Sequence, residues 1–327
     1  MNLLLTGDFN EAERADWAAA LRQALPGHRL CLARGEVPDD RIDAAIVANP
    51  PPGSLAGLPG LRLIHSLWAG VDRLLADATL PAGVPIARMV DPAMNAAMAE
   101  TALWATLALH RGFFTYSAQQ QAGRWQPHAQ RRADEVPVLV LGLGQMGRAV
   151  AHRLVQQGYP VAAWRRGAAP GDTVDTSPGP VGEVAVPDGV VVHTGPAALA
   201  PALARAQVLI NLLPLTADTR GLIDACLLAA LPRGAGLVNL ARGAHVADAD
   251  LLAALASGQV GQAVLDVFHT EPLPAGHPYW QHPRVALLPH AAALTDTRSA
   301  AAVVAHNIAA LAAGAPLQHR VRRGAGY

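Results

Sequence analysis

The run Val138–Val150, VLVLGLGQMGRAV, constrains the fold more than any other stretch of this chain. Four consecutive apolar residues read as a strand buried on both faces, and the residues after Gly147 read as a helix. Between them stand Gly142, Gly144 and Gly147. Gly142 suits a tight turn, Gly144 lets a ligand approach the backbone, and Gly147 lets the helix pack closely. A strand, a glycine turn and a helix in that order open a parallel α/β unit. The helix N-terminus then faces any phosphate lying over the turn, with Gln145 and Met146 at its start. Three glycines at this spacing can also be a purely structural turn. The strand before and the helix after favour a dinucleotide site.

The rest of the chain repeats this grammar. LLLTG opens as a strand and EAERADWAAALRQAL follows as an amphipathic helix. The short apolar runs LCLA, AAIVA and LRLIHSL come next, the last two separated by PPPGSLAGLPG. After Asp91-Pro92 one long helical pattern runs to about Gln121 and suits a connection between domains. From Val136 a second series begins, with strands expected in VPVLVLG, PVAAW, QVLINLL, GAGLVNL, QAVLDVF and RVALLPH. Residues 167–195, rich in Gly, Pro, Asp and Thr, read as an irregular insertion in that series. A last helix over 295–313 crosses back to the first domain. The expected fold is therefore α/β, with two doubly wound parallel-sheet domains. A Rossmann cofactor domain, 99–293, is inserted into a flavodoxin-like substrate-binding domain, 1–98 and 294–327, and an active-site cleft is expected between them.

Composition removes several classes. The 327 residues carry 25 basic and 25 acidic side chains, so no basic excess points to nucleic acid. All 25 basic residues are arginine. Without lysine the chain can form neither a Schiff base nor a P-loop phosphate clamp. Cys31 and Cys226 form no metal or CxxC pattern and read as free buried thiols in a reduced, cytoplasmic setting. The N-terminus lacks a basic segment and a long apolar core, so it reads as a first strand and not as a signal peptide. No run approaches 18 apolar residues, and no membrane partner is expected.

The second strand of the cofactor series decides which dinucleotide fits. NAD enzymes commonly end that strand with an acid that binds the ribose hydroxyls, about 20 residues past the first glycine. Here Trp164, Arg165 and Arg166 stand there, and no acid follows before Asp172. Two guanidiniums suit a 2′-phosphate, so NADP(H) is expected over NAD(H); the alternative is a solvated basic turn. Further on, LINLLPLT would carry Leu213 and Pro214 beneath the nicotinamide ribose, although by itself it is only a strand end.

Three residues suggest the chemistry. Arg242 follows the apolar run LVNLA, Glu271 lies in a Pro-flanked turn, and His290 closes ALLPH, 19 positions after Glu271. Strands ending at one sheet edge can bring such a carboxylate and imidazole together. A carboxylate beside an imidazole favours the protonated ring, which is the form a general acid needs. Arginine can hold a carboxylate and polarise a carbonyl without losing its proton. Each residue has a plainer reading: a surface ion pair for Arg242, a solvated turn for Glu271, and packing for most of the 13 histidines, among them His245, His269, His277 and His282.

In these contexts the chain resembles the D-2-hydroxyacid dehydrogenase family, and within it the glyoxylate/hydroxypyruvate reductase A-like branch. The resemblance is carried by SLWAGVD, LGLGQMGRA, VLINLLPLT, LVNLARG, LDVFHTEPLP with HPRV, and PHAAA, across most of residues 60–312. It implies a homodimer that reduces a small 2-oxo acid to a 2-hydroxy acid by hydride transfer. Arg242 would bind the substrate's carboxylate and carbonyl oxygen. His290 would donate the proton, Glu271 would orient it, and Asp266 would face the nicotinamide amide. The turn Trp68–Ala69–Gly70 would offer backbone N–H groups to the substrate carboxylate. Trp68 could narrow the pocket to small substrates and Trp280 could wall its other side, while packing is the alternative for both. Met94 and Met98, on the long helix, could face the cleft, and core packing is expected over that.

Other readings stay open on the same scaffold. One is a dehydrogenase of a larger 2-oxo acid. Phosphoglycerate dehydrogenases would be expected to have an acid where Arg165 stands, and formate dehydrogenases a glutamine where Glu271 stands. A non-catalytic dinucleotide sensor could keep all three site residues, since fold does not fix function.

Overall fold

Apolar runs without alternation become strands buried on both faces, as a parallel sheet covered by helices requires. The computed structural model describes residues 1–167 and 186–325. In chain order its first elements are β1 (Asn2–Gly7), α1 (Glu11–Ala24), β2 (Arg29–Cys31), β3 (Ile42–Ala48), β4 (Leu63–Ser66), α2 (Asp72–Leu75) and β5 (Ile86–Ala87). Then come α3 (Pro92–His110), α4 (Phe113–Gln121), β6 (Val138–Leu141), α5 (Gln145–Gln156), β7 (Val161–Arg165) and β8 (Val191–Thr194). They are followed by α6 (Leu199–Leu203), β9 (Val208–Asn211), α7 (Ala225–Ala229), β10 (Ala235–Asn239), α8 (Asp248–Ser257), β11 (Val260–Leu265), β12 (Val285–Leu287) and α9 (Thr297–Ala313).

The chain divides into two compact units, Met1–Met94 with Thr295–Tyr327, and Asn95–Leu294. The first holds a five-stranded parallel sheet in the order β2-β1-β3-β4-β5, the flavodoxin-like arrangement. Its helix α1 begins at a capping box, Asn10 with Glu13, and buries Trp17, Ala18 and Leu21. The second holds a seven-stranded parallel sheet in the order β12-β11-β10-β9-β6-β7-β8. The order of strand addition reverses at β6, which has β7 on one side and β9 on the other. Ligands of open α/β sheets bind at such a reversal, beyond the carboxyl ends of the strands. Side chains of β6 alternate between two cores: Leu139 and Leu141 enter one, Val138 and Val140 the other.

Three details depart from expectation. The single long helix is two, because Gly112 takes a left-handed conformation (φ 69°) that ends α3 and opens α4. The insertion expected over 167–195 is not irregular throughout. Val191–Thr194 form β8, pairing with β7 as an edge strand whose valines are exposed; residues 168–185 lie outside the described residues. Cys31 is buried as expected, but Cys226 is exposed on α7. Met94 and Met98 are buried. Among the described residues no helix is long and apolar enough to cross a membrane, and no three His, Cys, Asp or Glu side chains are placed to hold a metal ion.

Candidate active site

Because the second sheet is parallel, the segments after β6, β9, β10, β11 and β12 all leave from one edge. They carry Gly142–Gly147, Leu213 and Pro214, Arg242, Asp266 with Glu271, and His290. The last two meet across neighbouring strands, since Leu265 of β11 is in register with Leu287 of β12. His290 Nδ1 lies 2.7 Å from Glu271 Oε2. Glu271 Oε1 accepts the Phe268 N–H at 2.9 Å, so both carboxylate oxygens are engaged and the group is oriented. With Nδ1–H donating to the carboxylate, Nε2 is the ring nitrogen left to exchange a proton with a ligand. The backbone of His290 has φ 54°, in the left-handed region that few residues other than glycine occupy.

Arg242 reaches the same edge through a tight packing contact. A Cβ on Gly243 would come within 2.0 Å of the Phe268 carbonyl carbon, so only glycine lets the arginine loop lie against the Glu271 loop. The Arg242 Nη1 donates to the Ala241 carbonyl at 2.7 Å, and its own carbonyl accepts from Asn239 Nδ2 at 3.0 Å.

Asp266 follows β11 and is 1% exposed. Its carboxylate turns inward: Oδ1 accepts the Ala291 N–H at 2.7 Å and Oδ2 the Ala292 N–H at 3.1 Å. Burial pushes its pKa above the ordinary carboxylate value, while the two amides and the neighbouring His290 pull the other way. Each carboxylate oxygen thus accepts one backbone N–H of the turn that follows His290.

The glycine turn has three distinct geometries. Gly142 has φ 97°, and a Cβ there would lie 2.8 Å from the Leu212 carbonyl oxygen. At Gly147 a Cβ would lie 2.0 Å from the Gly142 carbonyl oxygen, which holds α5 tight on the turn. Gly144 caps α5 in extended backbone, and a Cβ there would meet nothing within 4 Å. The fold therefore demands glycine at 142 and 147 but leaves open space at 144.

At the end of β7, Arg165 Nε donates to Thr194 Oγ1 at 3.2 Å, and Arg166 is ion-paired with Asp218 from the loop after β9. Trp164 is 4% exposed and donates Nε1–H to the Gly195 carbonyl, so its indole is a packing element. Trp280 is half-exposed and bonds the Pro274 carbonyl; it is not a core residue. In the first unit, the turn after β4 is shaped by Ser66, whose Oγ accepts the Trp68 N–H and donates to the Trp68 carbonyl, both at 3.1 Å. The Trp68 ring stands edge-on to Trp17 with centroids 6.3 Å apart. Ala69 and Gly70 continue this turn toward α2.

One arrangement escaped the sequence. Asn211 ends β9 and Asn239 ends β10, in register. Asn211 Nδ2 donates to Asn239 Oδ1 at 2.9 Å and to His245 Nδ1 at 3.0 Å. His245, fully buried, reaches the Pro214 carbonyl with Nε2 at 3.3 Å. This buried trio ties the Pro214 loop to the Arg242 loop, and buried polar groups need such partners. The visible signal was an asparagine ending each of two successive apolar runs, VLIN and GLVN. His269 and His277 instead stand near Asp248, at 3.9 and 3.7 Å, and His282 accepts the Arg284 N–H.

Comparison with known proteins agrees with this geometry. Residues 103–292 match the model of the D-isomer specific 2-hydroxyacid dehydrogenase NAD binding domain. The chain is 41% identical over 321 residues to the glyoxylate/hydroxypyruvate reductase A of Serratia proteamaculans, covering 96% of each. A D-isomer specific 2-hydroxyacid dehydrogenase from Xanthobacter autotrophicus Py2, solved with NADPH and MES, superposes with a TM-score of 0.89 at 38% identity, covering 100% of this chain and 99% of that one. The NADPH-dependent glyoxylate/hydroxypyruvate reductase of Sinorhizobium meliloti, solved with NADP and sulfate, gives 0.87 at 33% identity, with 100% and 99% covered. By family match and by identity across nearly its whole length, this chain belongs to the D-isomer specific 2-hydroxyacid dehydrogenases.

Proposed function

We propose that this protein is an NADPH-dependent reductase that converts small 2-oxo acids, glyoxylate and hydroxypyruvate foremost, into 2-hydroxy acids. The observation that carries this reading is the 2.7 Å contact of His290 Nδ1 with Glu271, on the sheet edge that also bears the glycine turn and Arg242. Residues 1–98 and 294–327 are assigned to substrate binding and 99–293 to the cofactor.

The residues present fit a dinucleotide. The open space at Gly144, at the start of the 12-residue helix α5, suits a pyrophosphate with Gln145 and Met146 beside it. Arg165 and Arg166 suit the 2′-phosphate of NADP(H) better than the bare ribose of NAD(H). Leu213 and Pro214 are assigned to the nicotinamide end. Bound NADPH supplies the hydride. Arg242 holds the substrate carboxylate and stabilises negative charge on the carbonyl oxygen. His290 delivers a proton from Nε2 to that oxygen, and Glu271 stabilises the charged ring before transfer. Trp68, Ala69 and Gly70 are assigned to the substrate carboxylate, with Trp68 limiting substrate size. As the family resemblance implies, the enzyme acts in the cytoplasm as a homodimer, a state that sedimentation equilibrium measures directly.

The first test is loss of nicotinamide absorbance with glyoxylate or hydroxypyruvate, using NADPH and NADH in parallel. Rapid loss with NADPH alone supports the whole reading. Loss with NADH alone keeps the chemistry and removes the phosphate-binding role of the two arginines. No loss with either cofactor, across larger 2-oxo acids too, favours a non-catalytic sensor. Arg165→Ala is expected to lower the NADPH/NADH ratio of kcat/KM about 10- to 100-fold, the scale of a hydrogen bond to a charged group. An unchanged ratio in that variant rules out the phosphate contact.

The glycine turn supplies a separate check. Gly144→Ala is expected to leave the melting temperature nearly unchanged while weakening NADPH binding at least tenfold, on the order of one lost close approach. Gly147→Ala should lower both, because its Cβ meets backbone. Equal NADPH affinity in wild type and Gly144→Ala would remove the pyrophosphate from that position.

A further inference from the structure

The proton donor of this site sits on a backbone conformation that does not hold itself. His290 has φ 54°, sparsely populated for a residue with a Cβ. Such a conformation persists only where surrounding contacts over-determine it. Here the contacts come mainly from one residue. The Asp266 carbonyl accepts the His290 N–H at 2.8 Å, Oδ1 accepts the Ala291 N–H at 2.7 Å, and Oδ2 accepts the Ala292 N–H at 3.1 Å. Asp266 is itself fixed, with its N–H on the Asn239 carbonyl at 3.0 Å and 1% of its surface exposed. The far end of the turn is pinned separately, by Thr101 Oγ1 donating to the Ala292 carbonyl at 2.7 Å.

We propose that Asp266 is the positioning residue of His290: its three hydrogen bonds hold the 290–292 turn so that the imidazole meets Glu271. Asp266 has no hydrogen bond to the His290 ring, so it acts through backbone. The inference rests on the reading of His290 as proton donor, and it makes a demand of its own on the protein without cofactor or substrate.

Asp266→Asn tests it. The amide keeps the shape, but its NH₂ faces one of the two backbone N–H groups where an acceptor stood, so one bond is replaced by a donor–donor contact. In protein labelled with ¹⁵N-histidine and free of cofactor, the His290 ring signals are identified by their loss in His290→Ala. The wild type should show Nδ1 bonded to the Glu271 carboxylate. In Asp266→Asn that signature should weaken or vanish. The kcat should fall about 10- to 100-fold, the scale of a misplaced catalytic group, while KM for the 2-oxo acid and Kd for NADPH stay within about twofold.

An unchanged His290 signature overturns the proposal. So does a tenfold rise in the NADPH Kd with that signature intact, which would make Asp266 a cofactor contact. Should Asp266→Asn fail to melt cooperatively, Asp266→Glu moves the same two acceptor oxygens by one methylene. A weakened His290–Glu271 signature there supports the latch, and an unchanged one counts against it. If the wild type oxidises no NADPH, the proposed function fails while the ring signals still report on the latch.

Discussion

Replacing His290 with alanine is expected to lower kcat about a thousandfold while leaving NADPH binding within about twofold. The reason is geometric. Glu271 occupies Nδ1 at 2.7 Å, leaving Nε2 as the ring's route for a proton to the substrate oxygen. A water in the vacated space lacks the carboxylate behind it and is a far weaker acid than an imidazolium. Arg242→Ala should fail differently. In its proposed role Arg242 binds the ground state and stabilises the developing alkoxide, so KM should rise and kcat fall together. Steady-state kinetics with glyoxylate and direct titration with NADPH separate these cases. A kcat within tenfold of wild type for His290→Ala would move the proton donor elsewhere.

Stability should fall as pH drops from about 6.5 to about 4, and His65 of β4 should supply up to about 3 kcal/mol of that loss. His65 is fully buried. Its Nδ1 donates to the Ser66 carbonyl at 3.0 Å, and Nε2 accepts from Asn307 Nδ2 at 3.1 Å. Asn307 cannot turn round to accept instead, because its Oδ1 takes the Gln318 N–H at 2.8 Å. Burial holds the ring neutral, with a pKa lowered to about 4. The sign follows. Above 6.5 the ring is neutral in both folded and unfolded chains, and full stability is present. Below 6.5 only the unfolded chain takes up the proton, so unfolding is favoured until the folded ring also titrates near 4. His65→Phe should start less stable at pH 7, because two polar partners lose their hydrogen bonds, yet show a slope shallower by about one proton in that window. Urea midpoints measured from pH 4 to 7 for both proteins decide it; parallel slopes would exclude His65 as the origin.

The sequence made the sheet and the site legible for a shared reason. Parallel strands buried on both faces are written as unbroken apolar runs, and in an α/β sheet the residue just past such a run stands at the functional edge. That rule alone placed Gly142, Arg242 and His290. It could not show what holds them. The Asn211–Asn239–His245 trio joins residues up to 34 positions apart, and its hydrogen bonds exist only once β9 and β10 are in register. Asp266 was visible as a residue but not in its orientation, because whether a carboxylate turns outward or toward backbone depends on a turn 25 positions later. The break between α3 and α4 was missed because a single glycine after LALHR is compatible with a continuous helix until its φ is known. Edge strand β8 was hidden by the Gly- and Pro-rich stretch before it, and its exposed valines gave no burial pattern to find.

The bond between His65 and Asn307 spans 242 residues, and Asn95–Leu294, a whole compact unit, lies between its ends. At about 5–20 residues per second, a ribosome takes on the order of 10–50 s to deliver the second partner after the first. Throughout that interval α1 lacks α9, the helix it packs against in the folded unit, and the host sheet carries an imidazole still short of a partner. The inserted unit has all of its own chain earlier. Birth order is thus reversed: the part begun first is finished last, and the nascent chain's most vulnerable surface is its oldest.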